Sequence, residues 1–176
     1  MKILLFGDIA AGKTTISKKI IQQYSGFELI AIDDFRRKFG DFTMKGETLA
    51  LSQFLKALRK DKNQIIEASG LGKLGTDIFN KIALFDEQIL LVVLRISLSE
   101  VYERIKNRNW DIPFPGKQEK LNTVIQSVNL GIKFGKIPLV WSELAKTAIF
   151  QIENNNLNTQ NYITNTIINF IKLNSK

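Results

Sequence analysis

The sequence predicts an α/β fold in which helices cover a parallel β-sheet. Two observations lead to this prediction: short apolar runs, and the amphipathic segments that separate them. Runs such as ILLF, LIAI and ILLVVL are apolar throughout, which is typical of strands buried on both faces of a parallel sheet. Strands that alternate with helical segments along the chain indicate an α/β protein.

These patterns predict the order and approximate bounds of the elements. The predicted strands are Lys2–Phe6, Glu28–Ile32, Gln64–Ala68, Gln88–Ile96 and Thr147–Ile152. The predicted helices are Lys13–Tyr24, Glu47–Lys60, Thr76–Phe85, Leu98–Arg108, Glu119–Lys133 and Thr159–Leu173. The second helix carries an apolar stripe at i, i+3, i+4 and i+7, formed by Leu51, Phe54, Leu55 and Leu58. Ser97 and Glu100 have the spacing of a capping box.

Composition limits the chemistry that the protein can perform. The 176 residues fit one domain, residues 1–176, without a linker or repeat. The chain has neither histidine nor cysteine, so acid–base chemistry falls to carboxylates, lysine, tyrosine or water. We expect a cytoplasmic protein with no membrane partner, because no apolar run approaches the roughly 20 residues that span a bilayer. The net charge of +8 leaves a nucleic-acid partner open, although the scattered basic residues favour solvated helix faces.

A glycine loop directly follows the first predicted strand. Residues Gly7–Thr14, GDIAAGKT, match the pattern G-x-x-x-x-G-K-[ST], and a predicted helix follows them. Backbone N–H groups of such a loop curl around phosphates, toward which the helix directs its positive end. We expect Lys13 to contact the β- and γ-phosphates and the Thr14 hydroxyl to coordinate Mg²⁺. The predicted ATP-binding residues of the loop are Gly7, Asp8, Ala10, Ala11, Gly12, Lys13, Thr14 and Thr15.

Acidic residues follow the second predicted strand, where parallel strands open their ligand crevice. Asp33 could accept the proton of an attacking hydroxyl or orient the water shell of magnesium. Arg36 could clamp an anionic group of the acceptor through a bidentate fork. Asp34 is better explained as a helix N-cap.

The third predicted strand ends in Glu67, next to the strand that precedes the glycine loop. Glu67 could lie near the metal, although a structural role is equally compatible with the sequence. Ser69 and Gly70 would line the floor of the cleft and contact the acceptor.

Arg104 and Arg108 lie one helical turn apart, before a loop that contains two prolines and a glycine. Over the phosphates they would stabilise charge on the transferring group. The alternative is an exposed basic helix face. A loop able to close as a lid makes the catalytic interpretation as well supported as the exposed-face alternative.

These motifs together resemble the P-loop kinase group that includes adenylate, shikimate and nucleoside kinases. The resemblance is greatest to the polynucleotide kinase-like branch, a type of AAA-like ATP-binding domain. It rests on the glycine loop, on Asp33-Asp34-Phe35-Arg36 and on the arginines of Glu103–Arg108, and it spans nearly the whole chain. Beyond Gly70 it rests on the layout of elements rather than on motifs.

The resemblance implies a three-layer P-loop NTPase fold: a five-stranded parallel sheet with the P-loop strand in its middle, helices on both faces, and a small lid over about 104–120. It also implies that Asp33 is the general base and that Arg36 contacts an acceptor phosphate. Arg104 and Arg108 correspond to lid arginines, and the adenine would lie between the lid helix and the turn that begins at Asn154.

The sequence therefore predicts an ATP- and Mg²⁺-dependent kinase. It would transfer the γ-phosphoryl group to a hydroxyl of a nucleotide, a nucleic-acid end or a small anionic acceptor. A nucleoside or nucleoside-monophosphate kinase is the first alternative. The second is a P-loop ATPase or nucleotide-dependent switch without an acceptor, which Asp33 argues against because a switch needs no base that faces an acceptor.

Overall fold

The structure, a computed structural model, describes residues 1–106, 112–113, 118–155 and 160–174. The strands are β1 (Lys2–Gly7), β2 (Glu28–Ala31), β3 (Gln64–Glu67), β4 (Ile89–Arg95) and β5 (Thr147–Glu153). The helices are α1 (Lys13–Gln23), α2 (Ile32–Phe39), α3 (Met44–Ala57), α4 (Gly72–Ala83), α5 (Leu98–Lys106), α6 (Gln118–Lys133), α7 (Lys136–Trp141) and α8 (Gln160–Asn174). No helix in these ranges is long and apolar enough to cross a membrane.

The five strands form one sheet in the order β2-β3-β1-β4-β5, with every neighbouring pair parallel. This confirms the predicted sheet and the central position of β1. Because all strands run the same way, their carboxyl ends share one edge. The glycine loop after β1, Glu67 at the end of β3 and the start of α2 therefore lie together.

Alternate residues of β1 point into two separate cores, one on each face of the sheet. Ile3 and Leu5 belong to a core that α1 and α8 cover, whereas Leu4 and Phe6 belong to a core that α3, α4 and α7 cover. Helix α6 contributes to both, through Ile125 on one side and Ile132 on the other. The predicted three-layer arrangement is thus confirmed, and α6 packs against the cores on both faces of the sheet.

Helix α2 was not predicted, and it changes the interpretation of the residues after β2. The strand ends at Ala31, which is the N-cap of α2. The prediction that Asp34 caps a helix is therefore wrong: Asp33 and Asp34 lie in the first turn, paired with Arg36 at 3.1 Å and Arg37 at 2.9 Å respectively. Acids in the first turn and bases in the last turn both favour the helix dipole, and the apolar side of α2 packs on the core through Ile32 and Phe35.

Helices α3 and α4 begin earlier than the apolar pattern predicts. Thr43 caps α3, because its hydroxyl accepts a hydrogen bond from the Gly46 amide at 3.1 Å. The apolar stripe of α3 does face the core, with Phe54 and Leu58 buried. The predicted cap of α5 is also present, since Ser97 Oγ accepts a hydrogen bond from the Glu100 amide at 3.3 Å.

Candidate active site

The glycine loop presses against the neighbouring strand, which explains the glycine at its first position. Gly7 has φ +145°, and a Cβ there would collide with the backbone carbonyl of Leu94 in β4. Gly12, at φ +85°, is the N-cap of α1, and no side chain caps the helix. The first amides of α1 therefore remain available for an anion at the positive end of the helix.

Lys13 curls back over the loop and contacts its backbone. Its Nζ donates hydrogen bonds to the carbonyl oxygens of Gly7 at 3.2 Å and Asp8 at 2.6 Å. A phosphate in the loop would give this ammonium a charged acceptor in place of two neutral carbonyls, and charge-assisted hydrogen bonds are the stronger kind. The loop thus holds its lysine close to the position where phosphates would bind.

Glu67 is buried at the carboxyl end of β3 and joins the first turn of α1. Thr14 Oγ1 donates to one of its carboxylate oxygens at 2.6 Å, and Ser17 Oγ donates to the other at 3.3 Å. Burial raises the pKa of Glu67, and the charge of Asp33 adds to this, whereas Lys13 and the hydroxyl donors oppose it. A positive ion at this place would stabilise the charged form of the carboxylate.

The Thr14–Glu67 pair has the chemistry of a magnesium site, since Mg²⁺ prefers oxygen ligands and uses few from the protein. Within the described ranges, no group of three or more acidic residues could hold a metal by itself. The pair fits an ion whose remaining ligands are water and phosphate oxygens, which is the usual arrangement in sites that bind nucleotides.

Arg36 joins α2 to α3 through two carboxylates. Its Nε and Nη2 donate to Glu47, the shortest bond being 2.6 Å, and its Nη1 donates to Asp33 at 3.1 Å. Burial alone would lower the pKa of Arg36, but the hydrogen bonds and charges of Glu47 and Asp33 raise it. Glu47 was predicted only as the first residue of a helix, not as part of the site.

Ser69 and Gly70, both predicted to bind the acceptor, lie in different surroundings. Ser69 lines the cleft next to the glycine loop. Gly70 is buried at φ +77°, and a Cβ there would run into the ring of Phe6. Gly70 thus serves the packing beneath the cleft floor, where Phe6 also contacts Trp141 edge to face, with 5.7 Å between ring centroids.

The Gly70→Ala variant should be strongly destabilised. The added methyl group would overpack Phe6 and strain a left-handed backbone, which together cost about 2–4 kcal/mol. Gly26→Ala is the matched control, because nothing lies within 4 Å of a Cβ at Gly26. Urea denaturation of both variants measures the difference in the free energy of unfolding. Equal stabilities would show that Gly70 is not constrained in this way.

Arg104 reaches from α5 to the glycine loop. Its guanidinium donates to the carbonyl oxygens of Ala10 at 3.3 Å and Asn154 at 2.8 Å. Asn154 is buried directly after β5, and its side-chain amide donates to the carbonyl oxygen of Ala11 at 2.6 Å. Both residues therefore lie against the loop that was predicted to bind ATP, and both hold its backbone in place.

Much of the predicted lid, together with Arg108, lies outside the described residues. Between α5 and α6 the structure describes Ile112 and Pro113, and both are buried. Ile112 lines the cleft. Pro113 lies beside the end of α2, since a Cβ at Gly40 would be 3.1 Å from its Cγ.

A buried contact between Asp8 and Asn129 ties the glycine loop to α6. Asp8 accepts hydrogen bonds from the Ile96 amide and from Asn129 Nδ2, each at 3.1 Å. Asn129 Nδ2 also donates to the Ile96 carbonyl at 2.9 Å. Burial raises the pKa of Asp8, whereas these hydrogen bonds and the nearby charge of Lys13 oppose the shift. Asp8 was predicted only as part of the ATP-binding loop, through its backbone, and no local pattern in the sequence indicated Asn129.

Many of the predicted site residues line one cleft with a volume of about 400 Å³. One end is polar and holds the glycine loop, Lys13, Thr14, Glu67 and Arg104. Asp33, Arg36 and Ser69 lie along the cleft, and its apolar wall is formed by Leu74, Ile112, Leu121, Val124 and Val128. A cleft of this size, with charged groups around the glycine loop and apolar side chains along a wall, has the character of a small-molecule site.

Comparison with known proteins shows the fold of this chain. No protein-family model matches it, and no curated protein matches its sequence. The shikimate kinase of Bacteroides thetaiotaomicron superposes with a TM-score of 0.61 at 16% identity, covering 100% of this chain and 99% of that one. The deoxyadenosine kinase of M. mycoides with bound dATP superposes with a TM-score of 0.59 at 20% identity, covering 98% and 100% respectively. The shikimate kinase of Aquifex aeolicus gives 0.55 at 15% identity, covering 99% and 98%.

At these identities the comparisons establish architecture only. Both kinds of neighbour match along essentially the whole of this chain and the whole of their own. The chain thus has the three-layer fold seen in shikimate kinase and deoxyadenosine kinase, with its glycine loop after the central strand.

Proposed function

We propose that the protein is an ATP-dependent kinase that transfers the γ-phosphoryl group to a hydroxyl group of a small acceptor. The observation that carries this proposal is the position of Asp33. Its carboxylate lines the same cleft as Lys13 and the Thr14–Glu67 pair, and its charge influences the pKa of Glu67. A base that faces a phosphate-binding loop across one cleft is the arrangement that phosphoryl transfer to a hydroxyl needs.

In this proposal, the loop amides and the N-terminus of α1 hold the triphosphate, and Lys13 contacts its β- and γ-phosphates. Arg104 and Arg108 would stabilise the transferring group, Arg104 from a position where it already contacts the Ala10 carbonyl. The adenine would lie near Asn154, which is fixed against Ala11. Thr15, exposed in the first turn of α1, also lines this end of the cleft.

Thr14 and Glu67 would hold magnesium, either directly or through bound water. When bound, the ion neutralises part of the charge on the phosphates. Glu67 accepts hydrogen bonds from Thr14 and Ser17, so its carboxylate oxygens face the start of α1. The raised pKa of Glu67 is consistent with a carboxylate whose intended partner is a cation.

Asp33 would act as the general base for the acceptor. The acceptor oxygen forms a bond to the γ-phosphorus, the bond from that phosphorus to the bridging oxygen of ADP breaks, and the hydroxyl proton passes to the Asp33 carboxylate. Asp33 is one third exposed and held by Arg36, so it faces the cleft in a defined orientation while staying accessible to a hydroxyl.

The sequence favoured an acceptor that is a nucleotide, a nucleic-acid end or a small anion, with a nucleoside or nucleoside-monophosphate kinase as the alternative. The contacts of Arg36 favour the nucleoside kinase, since two carboxylates already occupy the guanidinium that was expected to bind an acceptor phosphate. A switch or ATPase without an acceptor is less well supported, because it gives Asp33 and the apolar wall no role.

The first test measures ADP release from Mg·ATP with a panel of acceptors: nucleosides, nucleoside monophosphates, 5′-hydroxyl oligonucleotides and small sugars. A kinase predicts a rate that one class raises well above the background. An equally slow rate with every compound would contradict the proposal and support a nucleotide-dependent switch.

A further inference from the structure

A second chamber of about 430 Å³ adjoins the cleft at Arg36. The residues that line both volumes include Arg36, Ser69 and Leu74. The chamber lies between α3, the start of α4 and α6, on the side away from the glycine loop. We call this volume the acceptor chamber; its further lining includes Glu47, Leu51, Leu71, Thr123, Val124, Ser127, Val128 and Lys136.

Resting on the proposed function, we propose that the acceptor is an uncharged hydroxyl compound with an apolar face, and that Glu47 sets this preference. A molecule in the acceptor chamber would meet Arg36 and Glu47 at its inner end and leucine and valine side chains along its length. The chamber is large enough for a ring system of nucleoside size.

The charges at the inner end argue against an anionic acceptor. Arg36 is the cation there, and its charge is more than balanced by Glu47 and Asp33, both in direct ion pairs with it. Glu47 is itself buried, with 10% of its side chain exposed. Drawing Arg36 toward a phosphate would leave this carboxylate buried without its partner, which is strongly unfavourable.

The geometry of the ion pair adds to this argument. Glu47 takes Nε and Nη2 of the guanidinium, one of the edges that form a two-point fork with a carboxylate or phosphate. Asp33 takes Nη1, so an acceptor phosphate would have to compete with one of these carboxylates on either edge. Lys136 lies exposed at the far rim of the acceptor chamber, so the inference concerns the end of the acceptor next to Arg36.

The remaining lining suits a flat, weakly polar molecule. Leu51 and Leu71 face Val124 and Val128 across the acceptor chamber, while Ser69 contributes a hydroxyl near the inner end. Apolar walls with a few polar groups bind ring systems by area and orient them by hydrogen bonds.

Matched pairs of compounds test the proposal on the unaltered protein. A nucleoside and its 3′-monophosphate both keep the 5′-hydroxyl and differ by one phosphate group, which adds negative charge; a polyol and its monophosphate form a second such pair. We expect the neutral member to raise the melting temperature in the presence of ADP and magnesium, and to bind at least about 100-fold more tightly in a titration. Equal or tighter binding of the anionic member, or no binding by either member of any pair, would overturn the proposal.

The Glu47→Gln variant tests the assigned residue. Glutamine keeps an acceptor for Arg36 but removes the negative charge, so the ratio of anionic to neutral binding should rise about tenfold or more. An unchanged ratio in a folded variant would overturn the role of Glu47. If this variant does not fold, the double variant Arg36→Gln/Glu47→Gln replaces the ion pair with a neutral pair. The double variant should still bind the neutral member. Loss of that binding in a folded protein would show that binding of the acceptor needs the charges of the ion pair, and would overturn the proposal.

These binding measurements do not depend on turnover. Selective binding of neutral compounds without transfer of phosphate would contradict the proposed kinase and leave the acceptor class supported. Transfer to the phosphorylated member of each pair would support the kinase and contradict the acceptor class.

Discussion

The Lys13→Ala variant is expected to lose phosphoryl transfer by about 10²–10³-fold or more, the size of effect seen when one charge-stabilising group is removed from an active site. Lys13 lies at the start of α1 with its ammonium over the glycine loop, 2.6 Å from the Asp8 carbonyl. Charge builds up on the phosphates during transfer, and neither the loop amides nor Arg104 can replace a mobile cation at that position.

The Lys18→Ala variant is the matched control for this experiment. Lys18 lies on the same helix and is exposed to solvent, so the same substitution should leave turnover and melting temperature nearly unchanged. Steady-state rates with Mg·ATP for both variants decide the question. A Lys13→Ala variant that is as active as the Lys18→Ala variant would mean that the glycine loop does not serve as the phosphate site.

The Asp33→Asn variant should lose about 10²–10⁴-fold in kcat, the usual contribution of a general base. Asparagine keeps an oxygen that can accept the hydrogen bond from Arg36, so the helix should stay intact. It cannot take up the proton of the acceptor hydroxyl. We expect ATP binding to stay within a few-fold of the original value, because Asp33 lies on the acceptor side of the cleft.

The neighbouring Asp34→Asn variant controls for the loss of one negative charge in the same helix turn. Asp34 is 62% exposed and pairs with Arg37 on the outer face of α2. Its substitution should change kcat little. Rapid-quench measurement of the transfer step, alongside ATP titration, separates chemistry from binding, and normal transfer by the Asp33→Asn variant would rule out Asp33 as the base.

The sequence predicted the sheet and the glycine loop because both depend on local signals. A buried parallel strand is apolar over its whole length, as β4 is from Ile89 to Leu94. The loop needs glycine where its backbone touches Leu94, and the motif places lysine and threonine where a phosphate would bind. Each requirement falls within eight consecutive residues, so the pattern can be recognised without knowing the fold.

The contacts that connect the loop to the rest of the site could not be predicted in this way. Asp8 and Asn129 are 121 positions apart, and Asn154 lies 143 positions from its partner Ala11. A single asparagine in a helix or after a strand carries no sign of its partner, because its role depends on how α6 and β5 pack against the sheet.

Glu47 illustrates the same limit for charge. In the sequence it stands in the first turn of a helix, where a glutamate is already favoured by the helix dipole. Only the packing of α3 against α2 brings it to Arg36 and changes the expected role of that arginine. Helices α2 and α7 were missed for a related reason: at eight and six residues, they are too short to show helical periodicity.

The fate of the γ-phosphate tests most directly whether the protein is a kinase that acts on a hydroxyl group. The protein is incubated with ATP labelled in the γ-phosphate, magnesium and a neutral hydroxyl compound, and the label is then separated into inorganic phosphate and phosphate ester. We expect most of the label to enter the ester of one neutral compound, and the Asp33→Asn variant to slow this transfer by about 10²–10⁴-fold. Label that enters only inorganic phosphate, at the same slow rate with every compound, would contradict this expectation.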